Sequence, residues 1–263
     1  MIQPLAYVNP QAKIADNVVI EPFVTIHKNV EIGEGTWIGS NVTIMEGARI
    51  GKNCKIFPGA VISAIPQDLK FNGEDTLTII GDNTTIRECV TINRGTNANN
   101  KTMVGEGCLL MAYVHVAHDC IIGNHCILAN AVQVAGHVTV GDYAIVGGTS
   151  AVHQFVNIGQ HAMISGGSLV RKDVPPYTKA AREPLSYEGV NSIGLRRRGF
   201  TSEKINEIQE IYRILYLRGY NNSKALALIE AEMPATKERD EIISFIRDSD
   251  RGVMKGYYHR NSI

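Results

Sequence analysis

Residues 104–158 read VGEGCLLMAYVHVAHDCIIGNHCILANAVQVAGHVTVGDYAIVGGTSAVHQFVNI, and every sixth residue of this stretch is a branched aliphatic. The positions are Val104, Leu110, Val116, Ile122, Leu128, Val134, Val140, Val146, Val152 and Ile158. An α-helix repeats every ~3.6 residues and a strand about every two, so neither alone gives this period. The pattern is typical of short strands separated by corners at fixed intervals, the signature of a β-helix built from hexapeptide repeats.

The same phase covers most of the chain. From Ile2 to Val170, 26 of 29 positions spaced six apart hold Ile, Leu or Val, although these types make up only 66 of 263 residues. Each repeat buries its aliphatic residue only by stacking on its neighbours, so we expect a continuous prism over residues 1–174. Such repeats resemble those of the hexapeptide acyltransferases, whose fold is a left-handed parallel β-helix with three faces in each 18-residue coil. The left hand comes from this resemblance, since the general crossover rule predicts a right-handed connection.

Two stretches interrupt the six-residue period, residues 63–79 and residues 93–103. Both are predicted to be loops that extend outward from the prism. Long loops on a rigid scaffold are more often functional than accidental. After Val174 the period stops, and helical patterns follow over 201–219, 222–232 and 236–248, the first with Thr201 or Ser202 as N-cap. The sequence thus predicts an all-β left-handed parallel β-helix over residues 1–186 and a C-terminal α-helical domain over residues 187–263.

Composition limits the class of protein. Lys+Arg and Asp+Glu both number 26, so net charge gives no reason to expect nucleic acid or an anionic membrane as partner. The first residues lack the basic and apolar stretch of a signal peptide, and no apolar run is long enough to span a bilayer. The five cysteines form no Cys-x-x-Cys pair, and four of them share one interior phase of the repeat. We therefore expect reduced, buried thiols in a cytoplasmic protein.

The repeat brings four of the eight histidines to one edge of the prism. His115 and His118 lie on one coil, His137 lies on the next, and His153 lies on the one after, beside Gln154. Gly136 follows His118 by one coil, so the residue stacked on that histidine has no side chain. We expect a substrate to reach both the imidazole and the Gly136 amide, which suits acyl transfer: a base for the attacking hydroxyl and a donor for the oxyanion. No Ser or Cys is placed as a nucleophile, so direct transfer is expected.

Seven short motifs follow one another along the chain. They are Gln67-Asp68-Leu69-Lys70, Arg94-Gly95-Thr96, His115-Val116-Ala117-His118-Asp119, Ala135-Gly136-His137, Ala151-Val152-His153-Gln154-Phe155, Asp173-Val174-Pro175-Pro176-Tyr177 and Arg197-Arg198-Gly199-Phe200. Together they resemble the bacterial UDP-N-acetylglucosamine O-acyltransferases, the enzymes that begin lipid A biosynthesis. The resemblance implies transfer of a 3-hydroxyacyl chain from acyl carrier protein to the 3-hydroxyl of UDP-N-acetylglucosamine. Because the phosphopantetheine of the carrier protein holds the acyl group, no other cofactor and no metal is implied.

The resemblance also assigns roles to residues. His118 is the general base, Gly136 supplies the oxyanion amide, and Asp119 is a candidate to orient the imidazole. The positions that match contacts to the sugar nucleotide are Asp68, Lys70, His115, His137, His153, Gln154, Asn191, Arg197 and Arg198. Gly166 matches the position that sets acyl-chain length. Members of the family are homotrimers with active sites between adjacent prisms.

Some residues depart from the family pattern. Asn93 stands where the family often has His, and Ile193 stands where an acidic nucleotide contact is common. Residues 171–204 hold eight Lys or Arg against four acidic residues, a patch suited to steer an acidic carrier protein. Neither the preferred acyl length nor the choice between a 3-hydroxyl and a 3-amino acceptor follows from the sequence.

Three other functions stay open at this point. His115, His118 and His137 are able to supply imidazole ligands to zinc, as in the carbonic anhydrase relatives of this fold. A sibling N-acyltransferase of the same pathway carries an extra N-terminal domain, whereas the repeats here begin at residue 2. A non-catalytic scaffold would leave the stacking of Gly136 on His118 without a purpose.

Overall fold

In the computed structural model, residues 1–256 are described. Short strands form three sheets around one axis, giving a left-handed parallel β-helix of triangular section. Strands in one sheet pair in parallel with partners 18 residues apart, as in Val116 with Val134 and Val134 with Val152. The repeat therefore stacks as the sequence predicts.

The bounds of the strands follow the chain around the prism. Sheet I contains Tyr7–Val8, Thr25–Ile26, Thr43–Ile44, Val61–Ala64, Thr91–Asn93, His115–Val116, Gln133–Val134, Ala151–Val152 and Leu169–Val170. Sheet II contains Lys13–Ile14, Glu31–Ile32, Ala48–Ile50, Leu77–Ile80, Lys101–Val104, Ile121–Ile122, Thr139–Val140 and Asn157–Ile158. Sheet III contains Val19–Ile20, Trp37–Ile38, Lys55–Ile56, Thr85–Ile86, Leu109–Leu110, Ile127–Leu128, Ile145–Val146, Met163–Ile164, Thr178–Ala181, Ser186–Val190 and Lys255–Gly256. Corners join them at three edges, named here I–II, II–III and III–I.

The aliphatic residues of the repeat fill the centre of the prism. From Ile20 to Val170 those at the repeat phase are buried, and Val and Cys at the corners complete the same core. Each fully buried aliphatic side chain contributes roughly 1.5–3 kcal/mol. Val8 and Ile14 are only partly buried because they lie in the first coil, next to the open end. The core therefore runs along the axis and leaves the edges free to carry polar groups.

Both predicted loops leave the prism at edge I–II, where the four histidines also lie. Strand pairing continues into each predicted loop, because Val61–Ala64, Leu77–Ile80, Thr91–Asn93 and Lys101–Val104 all belong to sheets. The segments outside the sheets are thus residues 65–76, the first loop, and residues 94–100, the second loop.

The tail packs on the end of sheet III. The predicted domain boundary at residue 186 falls at the start of strand Ser186–Val190, which pairs antiparallel with Thr178–Ala181. Within the described residues four helices follow, α1 (Ser192–Arg197), α2 (Ser202–Leu217), α3 (Asn222–Glu232) and α4 (Lys237–Arg247). Their N-caps are Asn191, Thr201, Asn221 and Thr236, each accepting a backbone N–H. Helix α1 was not predicted, and residues 257–263 of the predicted helical domain lie outside the described residues.

No helix within residues 1–256 has the length and apolar character needed to cross a membrane.

Candidate active site

The imidazole of His118 lies directly against Gly136 of the next coil. A Cβ atom built on Gly136 would lie 2.7 Å from Cε1 and 2.8 Å from Nε2 of His118, well inside van der Waals contact. Only glycine leaves the imidazole in this position. The side chain of His118 is 15% exposed, so its ring is held by the corner yet remains reachable from solvent.

The hydrogen bonding of the Gly136 amide differs from that of its neighbours. Within residues 1–256, no hydrogen bond is made by the Gly136 N–H, whereas the neighbouring Ala135 and His137 amides both donate to backbone carbonyls. Prolines occupy the same corner position at Pro4, Pro10, Pro22 and Pro58, which shows that the β-helix does not need an N–H there. What distinguishes Gly136 is therefore the missing side chain and the adjacent imidazole.

Asp119 is hydrogen-bonded to the imidazole of His118. Its buried carboxylate accepts a hydrogen bond from His118 Nδ1 at 2.7 Å. Burial alone would raise the pKa of Asp119, but hydrogen bonds from His118, Thr96 and Asn99 outweigh burial and hold the pKa below its ordinary value. A carboxylate that stays ionised only accepts hydrogen bonds, so His118 carries its proton on Nδ1. Nε2, the atom beside Gly136, then has the lone pair of a base.

A cavity of about 360 Å³ opens beside His118 and Gly136 on the outer side of sheet I. Small side chains form much of its wall, and Gln67 of the first loop closes one side. The lining residues are Gln67, Asn93, His115, Ala117, His118, Gln133, Val134, Ala135, Gly136, Ala151 and Val152. Gln67 was not among the predicted site residues, since loop contacts leave no periodic trace in the sequence; Asn93, noted there only as a departure from the family pattern, is the last residue of strand Thr91–Asn93.

His115 lies within this cavity and is held by a neighbour. Its Nδ1 is 2.7 Å from the hydroxyl of Thr91. Burial, with the nearby His118 as a smaller cause, lowers the pKa of His115 below its ordinary value. His115 therefore offers a neutral imidazole for hydrogen bonding rather than a charge.

The other three predicted residues of this edge, His137, His153 and Gln154, lie on the two coils that follow His118. His137 stacks on Phe155, with ring centroids 4.6 Å apart, and meets His118 edge-on at 5.1 Å. His153 and Gln154 are exposed on the following coil, where His153 Nδ1 lies 3.1 Å from the Gln154 carbonyl. The structure thus brings His115, His118 and His137 together and leaves the last pair at the rim.

The predicted residues of the first loop are close in sequence to Gln67 but less enclosed. Asp68 Oδ1 accepts the Lys70 N–H at 3.0 Å, which forms a tight turn. Lys70 is exposed. Asn93 holds the loop to the prism, because its Nδ2 donates to the Ile65 carbonyl at 3.2 Å. Asp68 and Lys70 therefore lie within three residues of Gln67 along the loop, and neither of them lines the cavity.

Asn191, Arg197 and Arg198 lie far around the prism from His118. Asn191 is buried, where its Oδ1 caps helix α1 and its Nδ2 donates to the His161 carbonyl at 3.0 Å. Arg198 donates to the Tyr143 carbonyl at 3.1 Å and covers the Tyr143 ring, while Arg197 is exposed. Tyr143 and His161 are corner residues of edge II–III. Within one chain these residues do not form a site with the histidines of edge I–II.

Gly166 lies on the remaining edge, III–I. A Cβ on Gly166 would lie 3.1 Å from the carbonyl oxygen of Gly148, one coil below. Two glycines are therefore stacked on consecutive coils at this edge. The three sets of predicted residues therefore occupy three different edges of one prism.

Cys120 is not a nucleophile in this arrangement. Burial raises the pKa of its thiol to about 12, and its Sγ lies 3.0 Å from the Ala135 carbonyl. The side chain faces the core, as the sequence predicts.

One group of possible metal ligands exists among the described residues, namely His118, Asp119 and His137. It is not the predicted set of zinc ligands, because His115 is bonded to Thr91 instead. His118 Nδ1 and Asp119 Oδ2 are 2.7 Å apart, the distance of a shared proton. Two nitrogen or oxygen ligands of tetrahedral zinc lie roughly 3.3 Å from each other. The geometry fits a hydrogen-bonded dyad better than a zinc centre.

The basic patch of residues 171–204 is partly neutralised. Arg171 pairs with Glu183, Arg182 pairs with Glu188, and Lys204 pairs with Glu207 and Glu238. Such surface pairs contribute little to stability, but they reduce the field of the patch.

Different family models match the prism and the tail. Residues 173–254 match the family model described as UDP N-acetylglucosamine O-acyltransferase, domain 2. Residues 101–136 match the bacterial transferase hexapeptide model, and residues 2–104 match that of the GMPPB C-terminal domain. The end of the prism and its helical tail thus carry the more specific match.

Similar proteins extend over nearly the whole chain. An acyl-[acyl-carrier-protein]--UDP-N-acetylglucosamine O-acyltransferase of Chlorobium phaeobacteroides is 61% identical over 252 residues, covering 95% of this chain and 96% of that protein. The one from Sulfurihydrogenibium sp. is 56% identical, covering 96% and 93%. The solved structure of a UDP-N-acetylglucosamine acyltransferase from Bacteroides fragilis is 53% identical, covers 97% of this chain and 100% of that one, and superposes with a TM-score of 0.96. The chain belongs to the UDP-N-acetylglucosamine O-acyltransferase family.

Proposed function

We propose that this enzyme transfers a 3-hydroxyacyl chain from acyl carrier protein to the 3-position of UDP-N-acetylglucosamine, the first step of lipid A biosynthesis. The observation that carries the proposal is the contact of His118 with Gly136 at the mouth of a cavity, with Asp119 behind the imidazole. Names of relatives at 56–61% identity give the two substrates.

In the proposed mechanism, Nε2 of His118 removes the proton of the sugar 3-hydroxyl while its oxygen attacks the thioester carbonyl. The carbonyl oxygen becomes an oxyanion, and the Gly136 N–H donates a hydrogen bond to it. The intermediate then collapses, which breaks the carbon–sulfur bond and forms the ester. The departing thiolate of phosphopantetheine takes the proton from His118, so the enzyme is regenerated. Asp119 stabilises the imidazolium between these steps, and no other cofactor takes part.

We assign sugar and diphosphate contacts to Asp68, Lys70, His137 and Gln154, with His115 and His153 beside them. The ammonium of Lys70 suits a phosphate oxygen. Asn191, Arg197 and Arg198 are assigned to the nucleotide end, where the planar guanidinium groups match phosphate geometry. Because these three lie on edge II–III, they reach the nucleotide bound at edge I–II only if a second prism lies alongside. A homotrimer with its active sites between adjacent subunits satisfies this requirement.

Gly166 is assigned to the end of the acyl groove. Its lack of a side chain, over the equally bare Gly148, leaves room for a chain along edge III–I. A groove between subunits would join this edge to the catalytic edge of a neighbour. We place the reaction in the cytoplasm, in keeping with the buried free thiols of Cys54, Cys108, Cys120 and Cys126.

The test is a reaction with defined substrates. The purified protein is incubated with UDP-N-acetylglucosamine and a panel of 3-hydroxyacyl carrier proteins of different chain lengths, and products are identified by mass. A 3-O-acylated sugar nucleotide that forms only with enzyme supports the proposal. If no carrier in the panel yields an acylated sugar, although the protein is folded, the proposal is wrong.

A further inference from the structure

The second loop, residues 94–100, is fastened to the prism beside the catalytic edge. Gly95 donates its N–H to the Leu77 carbonyl at 3.1 Å, and its own carbonyl accepts the Thr76 hydroxyl at 2.6 Å. A side chain on Gly95 would collide with the Lys101 amide, since the nearest atom lies 2.3 Å from the position of Cβ. The loop therefore has one close-packed path, which fixes where Thr96 lies.

Thr96 and Asn99 deliver three hydrogen bonds to the carboxylate of Asp119. Oδ1 accepts the N–H groups of Thr96 at 2.9 Å and Asn99 at 3.2 Å. Oδ2 accepts the Thr96 hydroxyl at 2.7 Å, and the same oxygen accepts His118 Nδ1 at 2.7 Å. Two donors on each oxygen satisfy the usual capacity of a carboxylate.

The direction of the Thr96 hydroxyl bond is determined by its surroundings. The Ala98 N–H donates to Thr96 Oγ1 at 3.2 Å, so the lone pair on that side of the oxygen is occupied. The ionised carboxylate of Asp119 only accepts, so the hydroxyl hydrogen points to Oδ2. Consecutive bonds of this kind polarise one another and strengthen the last one.

We propose that Thr96 is a positioning residue of the acyl transfer: its hydroxyl competes with His118 for one oxygen of Asp119 and so limits how strongly that carboxylate holds a proton on the imidazole. The inference rests on the proposed function. A carboxylate that already accepts three other bonds is a weaker partner for an imidazolium. Without the Thr96 hydroxyl, Oδ2 of Asp119 would therefore bind the protonated imidazole more strongly.

Other titratable groups surround His118, and none of them replaces the Thr96 bond. His115 lies on the same coil with a lowered pKa, and His137 lies on the next coil with its Nε2 3.9 Å from Asp119 Oδ2. Asp68 and Lys70 are on the first loop, whose Gln67 reaches the cavity. Of the neighbouring side-chain hydroxyls, Thr76 and Thr102 bind backbone groups, whereas Thr96 binds the carboxylate.

The experiment compares the pH dependence of kcat/KM for the wild type with that of Thr96→Val, which removes the hydroxyl but keeps the shape. Loss of a donor makes Oδ2 more basic, so the His118–Asp119 pair takes up a proton more easily. The acid limb of the Thr96→Val profile, where kcat/KM falls as the pH decreases, should therefore move to higher pH by about 0.5–1 unit. Thr96→Ser keeps the hydroxyl and should restore the wild-type limb. Thr76→Val is the control for a general loosening of the loop, because it removes the bond to Gly95 but keeps every donor to the carboxylate, and its acid limb should move less than that of Thr96→Val.

Two results would overturn the inference: an acid limb of Thr96→Val that coincides with the wild type, or an equal shift in Thr76→Val. If Thr96→Val does not fold, Thr96→Ala removes the hydroxyl without introducing the two γ-methyl groups of valine. Titration of the assigned His118 ring carbon by NMR gives a readout that needs no substrate. A wild type without acyltransferase activity would refute the proposed function, while the NMR shift would still decide the role of Thr96.

Discussion

Replacement of Gly136 by alanine probes the catalytic contact with a single methyl group. The new Cβ would lie 2.7 Å from Cε1 of His118, whereas ordinary contact begins at 3.4 Å. The imidazole has to withdraw by about 0.7 Å, against the 2.7 Å bond that ties its Nδ1 to Asp119. The backbone of Gly136 has no positive φ angle, so alanine itself is accommodated. The perturbation therefore acts on the base and its distance to the substrate, not on the fold.

A displacement of this size in a reacting group costs on the order of 10²-fold in rate. We expect kcat/KM of Gly136→Ala to fall by about 10²-fold, or about 2.7 kcal/mol in the transition state, while the melting temperature stays within a few degrees of the wild type. The assay follows acyl transfer from a 3-hydroxyacyl carrier protein by mass of the product. The control is the same change in a His118→Ala background, where the clash no longer exists and the further loss should be about twofold or less.

Activity of Gly136→Ala within threefold of the wild type would refute the reasoning. A full and additive loss in the His118→Ala background would also contradict it, since the effect would then not pass through the imidazole.

Three further predictions concern single residues. His118→Ala should lower acyl transfer by about 10²–10⁴-fold with the fold retained, as measured by kcat and circular dichroism, and near-normal turnover would remove His118 from the mechanism. Gly166→Met should shorten the preferred acyl chain in a competition of carrier proteins, and an unchanged chain-length profile would count against a ruler at this position. Burial, reinforced by the charge of Arg198, lowers the pKa of His161 to about 4. Since the unfolded chain takes up this proton near pH 6.5, the free energy of unfolding falls as pH drops from about 6.5 towards 4. His161→Phe should remove up to about 3 kcal/mol of that loss, as measured by urea unfolding at several pH values. An unchanged dependence of stability on pH in this variant would refute the prediction.

The geometry of the catalytic edge was predictable because the β-helix converts sequence spacing into distance. An 18-residue coil places Gly136 on His118. The strands that lead into these two corners are in the same register, because His115 pairs with Gln133. The same rule identified the core residues and the inert position of Cys120. In a fold with this regularity, residues 18 apart in sequence stack on consecutive coils, so their contacts are predicted from sequence spacing alone.

Prediction failed where the chain departs from the repeat. The loops are shorter than predicted because residues 63–64, 77–79, 93 and 101–103 join sheets, although Asp68 and Glu74 interrupt the aliphatic phase. The bonds from Thr96 to Asp119 and the approach of Gln67 to the cavity depend on how each loop folds back, and no period records that. Helix α1 is too short to give an amphipathic pattern, so the role of Asn191 as its cap appears only in three dimensions.

The central claim is that the Gly136 amide and the His118 imidazole act on one acyl group. The measurement that tests it most directly is a crystal structure of the protein with the acylated sugar nucleotide bound. We expect the ester carbonyl oxygen within about 3 Å of the Gly136 nitrogen, and the sugar oxygen of the ester within about 3.2 Å of His118 Nε2. An ester that lies away from Gly136, or a sugar oxygen that faces a different side chain, would contradict the claim.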